Sequence, residues 1–147
     1  MNGQAVSGVR PGSYLRLQRE WKNGDTIHLD LDSSLHYWAG EREYDGKTSI
    51  YHGPLLLAFD PVYNPMDTGD VPELDARNLN PRFEKTDRVF QPWVLVKVKA
   101  TNGQDVTLCD YATAGAFGNH YRTWLPIKNV APLAFDPLQP VWNNRPR

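Results

Sequence analysis

The amino-acid sequence predicts an all-β fold, an antiparallel β-sandwich of jelly-roll-like arrangement. Three observations carry this prediction. The chain of 147 residues holds 11 Gly and 12 Pro, spread along its length. The longest stretch free of both runs over 25–39, and every other is shorter than the roughly one dozen residues that a marginal helix needs. Short runs alternate apolar and polar side chains with the period of a strand, and Asn-Gly or Asp-Gly pairs stand between them.

The elements follow in order. In 14–19, Leu15 and Leu17 alternate with Arg16 and Gln18, and in 26–31, Ile27, Leu29 and Leu31 share one face. Asn23-Gly24 between them suits a tight turn that needs positive φ, so the two runs are expected to form a hairpin. Asp45-Gly46 turns the chain into a strand at 47–51. His52-Gly53-Pro54 then bends it into Leu55-Leu56-Leu57-Ala58-Phe59, a nearly continuous apolar run expected of a strand buried on both faces. Val94, Val96 and Val98 alternate with Leu95, Lys97 and Lys99, and Asn102-Gly103 turns that strand into 105–109, the clearest hairpin of the chain. A last strand is expected at 121–127, after the Gly-rich turn at 115–119.

The sandwich is expected to occupy 1–127. Within it, 60–87 reads as a long Pro- and Asp-rich connection carrying one helical turn around 73–77; long connections of this kind are often functional. A Pro-rich tail follows at 128–147. In it Leu133-Ala134-Phe135-Asp136-Pro137 repeats Leu57-Ala58-Phe59-Asp60-Pro61, either docking like a strand or by coincidence, since one recurrence makes no repeat architecture. At the other end, Asn2-Gly3 is a hairpin-turn signal with only Met1 in front of it. The expectation is a sandwich incomplete at its N-terminal edge, with strands missing before Met1 and an open sheet edge or core face in consequence.

Composition excludes several classes. Sixteen basic and seventeen acidic residues leave a net charge of −1, so there is no basic field to attract nucleic acid or an anionic membrane. No apolar run is long enough to span a bilayer. The N-terminus lacks a signal-peptide pattern, which leaves the compartment open between cytoplasmic and secreted. The single cysteine, Cys109, excludes an internal disulfide and a cysteine-based zinc site, and its place after Leu108 points to a buried, inert thiol.

Four histidines, His28, His36, His52 and His120, have no metal-ligand spacing, and no phosphate loop, nucleophile elbow or dinucleotide fingerprint calls for a cofactor. The acids Asp60, Asp67, Asp70, Glu73 and Asp75 read as solvated turn formers and caps. Their alternatives are calcium ligation, with Asp67 and Asp70 as candidates, or a pair of glycosidase carboxylates. Five tryptophans and seven tyrosines supply flat faces of the kind that stack on sugar rings, although small sandwiches also use them as core. Trp93 and Trp124 sit in strand contexts and are expected inside. Trp38, beside Tyr37 and before Gly40, is the better surface candidate. Tyr111, His120, Tyr121 and Arg122, with Phe117, surround the Gly-rich turn and form a candidate carbohydrate-binding patch.

The stretch Pro11-Gly12-Ser13-Tyr14-Leu15-Arg16-Leu17-Gln18-Arg19-Glu20-Trp21-Lys22-Asn23-Gly24-Asp25-Thr26-Ile27 resembles a recurring segment, with the pattern Gly-x-Tyr-x-x-Leu-x-Arg-x-Trp-x-x-Gly-Asp, of the β-L-arabinofuranosidase-like glycoside hydrolases. Lys47-Thr48-Ser49-Ile50-Tyr51-His52-Gly53-Pro54-Leu55 resembles the segment that follows, where a strand enters a Gly-Pro-Leu bend. Asn2-Gly3 stands where that family has a strand-ending turn, and 121–127 looks like the terminal part of some members. The resemblance covers about 2–59 most clearly and implies the β-sandwich region that follows an (α/α) barrel. Family catalysis, as the resemblance implies, uses a glutamate and a cysteine-rich, zinc-associated site in that barrel. Cys109 matches none of those positions, so no catalytic residue carries over. The expectation is a non-catalytic accessory domain that docks to a catalytic barrel, or to a second copy of itself, through an exposed sheet edge or apolar patch. The alternative is a free-standing carbohydrate-binding module for a plant or bacterial glycan.

Overall fold

In the computed structural model the chain forms two compact units, Met1–Asp32 and Ser33–Arg147. Residues 1–10, 12–87 and 90–130 are described, so the expected tail and its Leu-Ala-Phe-Asp-Pro copy lie outside the described residues.

The second unit is all-β, as its turns and alternation require. Its strands are β1 (Leu35–Ala39), β2 (Thr48–His52), β3 (Leu55–Phe59), β4 (Leu74–Asp75), β5 (Arg82–Glu84), β6 (Leu95–Lys99), β7 (Asp105–Asp110) and β8 (Ile127–Lys128). Six of them form one antiparallel sheet in the order β1-β2-β3-β7-β6-β5, and β4 and β8 form a small parallel pair. The large sheet is thus two meanders joined edge to edge through β3 and β7. The expected Asn102-Gly103 hairpin forms, with Lys99 opposite Asp105 and Val98 opposite Val106, and Gly103 takes the positive φ (85°) that the turn demands.

One face of this sheet carries Tyr37, Ile50, Leu57, Phe59, Val96, Val98, Val106 and Leu108. The segment after β3 covers it with Val71, Leu74, Ala76 and Leu79, joined by Leu125 and Ile127. Each such fully buried aliphatic contributes about 1.5–3 kcal/mol. The 60–87 connection is therefore the second layer of the core. Around Glu73 it forms β4 and a turn in place of the expected helical turn, because Leu74 N–H donates to the Pro126 carbonyl (2.8 Å) and Ala76 N–H to that of Lys128 (3.1 Å).

The expected strand at 121–127 is also replaced. Pro126 has no N–H to give a ladder, and the segment wedges between the splayed open ends of the β2–β3 hairpin. Arg122 bridges Phe59 and Leu125 bridges Thr48. Only Ile127 and Lys128 continue as strand.

The first unit departs further from expectation. The Asn2-Gly3 turn forms (φ 48° and 75°), as does the turn at Gly24 (φ 94°). The two are tied together, with Asn2 N–H donating to the Thr26 carbonyl (3.0 Å) and Thr26 N–H to Asn2 Oδ1 (2.8 Å). Neither 14–19 nor 26–31 forms a strand ladder. The alternating row Ile27, Leu29 and Leu31 stands 59%, 74% and 64% exposed. The period is that of a strand, but no strand forms among the described residues of this unit.

Candidate functional site

The Gly-rich turn at 115–119 is positioned by a buried carboxylate. Asp60, at the end of β3 and 1% exposed, accepts hydrogen bonds from Val62 N–H (2.8 Å), Gly115 N–H (2.9 Å) and Asn119 Nδ2 (2.7 Å). Three donors replace the water that a carboxylate loses on burial. Gly115 sits at φ 75°, and a Cβ there would lie 2.8 Å from Cδ1 of Tyr121, so the turn and the ring define one another. Tyr121 meets Tyr111 edge to face at 5.6 Å, and both are exposed. The hydrogen bond with Tyr111 is the largest cause raising the Tyr121 phenol above its ordinary value.

Of the carbohydrate candidates, then, Tyr111 and Tyr121 come together, with exposed His120 next in the chain. Arg122 is a brace: its Nε donates to the Trp124 carbonyl (2.8 Å) and its Nη1 to that of Thr68 (3.0 Å). Trp38 is half-buried on the edge strand β1. Of the calcium candidates, Asp67 caps a short 3₁₀ turn by accepting from Thr68 N–H (2.8 Å), and Asp70 closes the same turn. Among the described residues no three His, Cys, Asp or Glu side chains gather as metal ligands.

Cys109 is fully buried between β3 and β6, with its Sγ 3.7 Å from the Ala58 carbonyl oxygen. Burial, with the nearby Asp60 and Asp110 carboxylates adding to it, pushes the thiol up to about 12. The expected inert thiol has a clear physical basis, since the thiolate is the reactive form.

A second location is more concave. A cleft of about 860 Å³ is lined by His52, Phe83, Glu84, Gln91, Trp93 and Leu95 among others. Trp93 is 90% exposed, against the expectation that it lies in the core. The reason is the strand period itself: Trp93 falls opposite the face on which Val94, Val96 and Val98 are buried, and it precedes the first residue of β6. Trp124, also expected inside, is half-buried and stacks on Tyr44 at 4.8 Å. Phe83, on the edge strand β5, lies 4.8 Å from the His52 ring. Among the described residues at the cleft, Glu84 is paired with Lys97 (2.8 Å), and Lys85 and Asp87 oppose one another in sign.

Comparison with protein-family models, with curated proteins and with solved structures found nothing that matches this chain.

His52 was not legible together with Phe83 and Trp93, because β2 is remote from β5 and β6 both in sequence and in strand order, and the curl of the sheet brings it to them. The alternation of Val94, Val96 and Val98 was the available signal, since it puts Trp93 on the other face.

Proposed function

We propose that this chain is a non-catalytic accessory β-domain of a β-L-arabinofuranosidase-like glycoside hydrolase, whose role is to dock to and support a catalytic barrel. One observation carries the reading: Ile27, Leu29 and Leu31 alternate as a half-buried strand should, yet all three side chains are exposed. An exposed apolar row of this kind is a surface for packing against another domain. It lies within the part of the chain, about 2–59, whose residues resemble that family. The turns around it are already formed and hydrogen-bonded, which lowers the ordering cost of docking.

The test is reconstitution. The chain is mixed with a separately produced (α/α) barrel of a β-L-arabinofuranosidase-like enzyme, and association is measured by sedimentation. The expected result is a one-to-one complex, weakened about tenfold or more by Leu29→Lys. Absence of association, or a complex indifferent to charges at 27, 29 and 31, overturns the reading. A concentration-dependent homodimer lost in Leu29→Lys assigns the same face to a second copy of the chain instead of the barrel.

The second reading is a free-standing carbohydrate-binding module. It is favoured by exposed aromatic rings beside polar groups, at Tyr111 and Tyr121 and at the cleft that holds Trp93 and Phe83.

A further inference from the structure

We infer that the cleft at the β5–β6 end of the large sheet is a binding site for a neutral saccharide, with Trp93 as its stacking platform. The inference rests on the carbohydrate-binding reading and gives it a place and a ligand class.

Size comes first. About 860 Å³ lies within the range of roughly 300–1,000 Å³ usual for small-molecule sites. Shape and surface follow. The rings of Trp93, Phe83 and His52 line one depression, and the first two are 90% and 56% exposed. A single exposed ring on a protein surface is ordinary, but convergent rings in a concavity form a site. A sugar ring offers an apolar C–H face to an indole and hydroxyl groups at its edge. Gln91 and Glu84 stand at the same cleft with amide and carboxylate groups able to receive those hydroxyls.

Charge then selects among ligands. An anionic ligand would call for a surplus of Lys or Arg, and a cationic one for a surplus of acid within an aromatic cage. Here Glu84 and Lys97 form an ion pair, and Lys85 is balanced by Asp87. With neither sign in excess among the described residues, a neutral polyhydroxylated ring is the class that uses both the aromatic faces and the hydrogen-bonding rim.

The site is held by the fold. Phe83 is packed against His52, and the backbone next to Trp93 is anchored at the entry to β6 by the hydrogen bonds that Asp110 makes with Val94: its Oδ2 accepts from Val94 N–H (3.2 Å), and its own N–H donates to the Val94 carbonyl (3.0 Å). An anchored backbone lowers the ordering cost of binding.

The test is titration of the whole chain with arabinotriose, xylotriose and cellotriose, followed by tryptophan fluorescence and by backbone amide chemical shifts. At least one trisaccharide is expected to bind in the millimolar range or tighter and to shift residues of the cleft. Trp93→Ala is expected to weaken that binding about tenfold or more. Because the indole is exposed, this variant should keep the wild-type amide spectrum elsewhere. Tyr121→Ala is expected to leave affinity unchanged. Binding that survives Trp93→Ala but is lost in Tyr121→Ala overturns the cleft and leaves the module reading standing. Tighter binding to a sulfated than to a neutral trisaccharide overturns the ligand class. No binding to any of the three overturns the inference together with the module reading, and it leaves the accessory reading to be decided by its own reconstitution.

Discussion

The imidazole of His52 on β2 lies 4.8 Å from the ring of Phe83 on β5, although β3, β7 and β6 stand between their strands in the sheet. At a strand spacing of about 4.8 Å, a flat sheet would hold β2 and β5 roughly 19 Å apart. The sheet therefore curls until its two meanders approach. His52 Nδ1 is buried and has no hydrogen-bond partner among the described residues, and such an orphan costs about 1–3 kcal/mol. Replacing the imidazole by a ring of similar shape should recover part of that. His52→Phe is expected to raise the unfolding free energy by about 1 kcal/mol in urea titrations, with an unchanged m-value. A loss of stability would mean that Nδ1 is satisfied in solution.

Asn64 continues the sheet with a side chain. Beyond Phe59 the β3 ladder ends. The Asn64 amide takes its place on β7, its Nδ2 donating to the Thr107 carbonyl and its Oδ1 accepting from the Thr107 N–H, both at 2.8 Å. Only a primary amide presents this donor and acceptor pair side by side. Asn64→Asp keeps the shape but turns the donor into a charge facing a carbonyl, and it is expected to cost about 2–3 kcal/mol. Asn64→Ala should cost about 2 kcal/mol. Denaturant midpoints of the two variants check the order.

Asp60 holds the Gly-rich turn to the end of β3. Removing its carboxylate strands three donors in a place 1% exposed to water. Asp60→Ala is expected to destabilise the unit by about 3 kcal/mol or more. It should also broaden the amide resonances of 112–121 before the rest of the sheet is affected.

Gly115 tests the same turn from the other side. Its φ of 75° and the 2.8 Å approach of a Cβ to the Tyr121 ring both oppose substitution. Gly115→Ala is expected to cost about 1–3 kcal/mol and to separate Tyr121 from Tyr111. The separation would lower the titration midpoint of the Tyr121 phenol, because the hydrogen bond that raises it is lost. Ultraviolet titration of the tyrosinates reads this directly.

The clearest parts of the fold in the sequence were those in which period and turn chemistry agree. The β6–β7 hairpin alternates cleanly and turns at Asn102-Gly103, and Leu57, Ala58 and Phe59 are buried on both faces as a continuous apolar run requires. β1 was missed because Leu35-His36-Tyr37-Trp38-Ala39 mixes aromatic and polar residues, and its pairing with β2 supplies the order. The opposite error occurred at 26–31, where alternation describes a face but not the sheet that would cover it. The site was less legible still. Tyr111 and Tyr121 flank a Gly-rich turn visible in the sequence, whereas the Trp93 cleft depends on the curvature of a six-stranded sheet.

Asp25 makes the first unit sensitive to acid. Its carboxylate accepts from Lys22 N–H (2.8 Å) and from Asn2 Nδ2 (2.7 Å), and Arg19 lies at 3.3 Å. These contacts, the Lys22 backbone bond foremost, lower it below the ordinary value of 3.8. A depressed carboxylate stabilises the folded form at every pH above its unfolded value, and that contribution disappears as pH falls through the lower, folded value. The tie between the Asn2-Gly3 and Gly24 turns is therefore expected to hold at neutral pH and to loosen only below about pH 4. Amide hydrogen exchange at Lys22, corrected for the intrinsic pH dependence, should lose protection on acidification through that window, while the amides of β7 stay protected. Asp25→Asn should abolish the pH dependence and leave the Lys22 amide weakly protected throughout. Protection at Lys22 that persists unchanged to the lowest pH reached, or that vanishes already near neutrality, would show that the Asp25 carboxylate does not hold the two turns together.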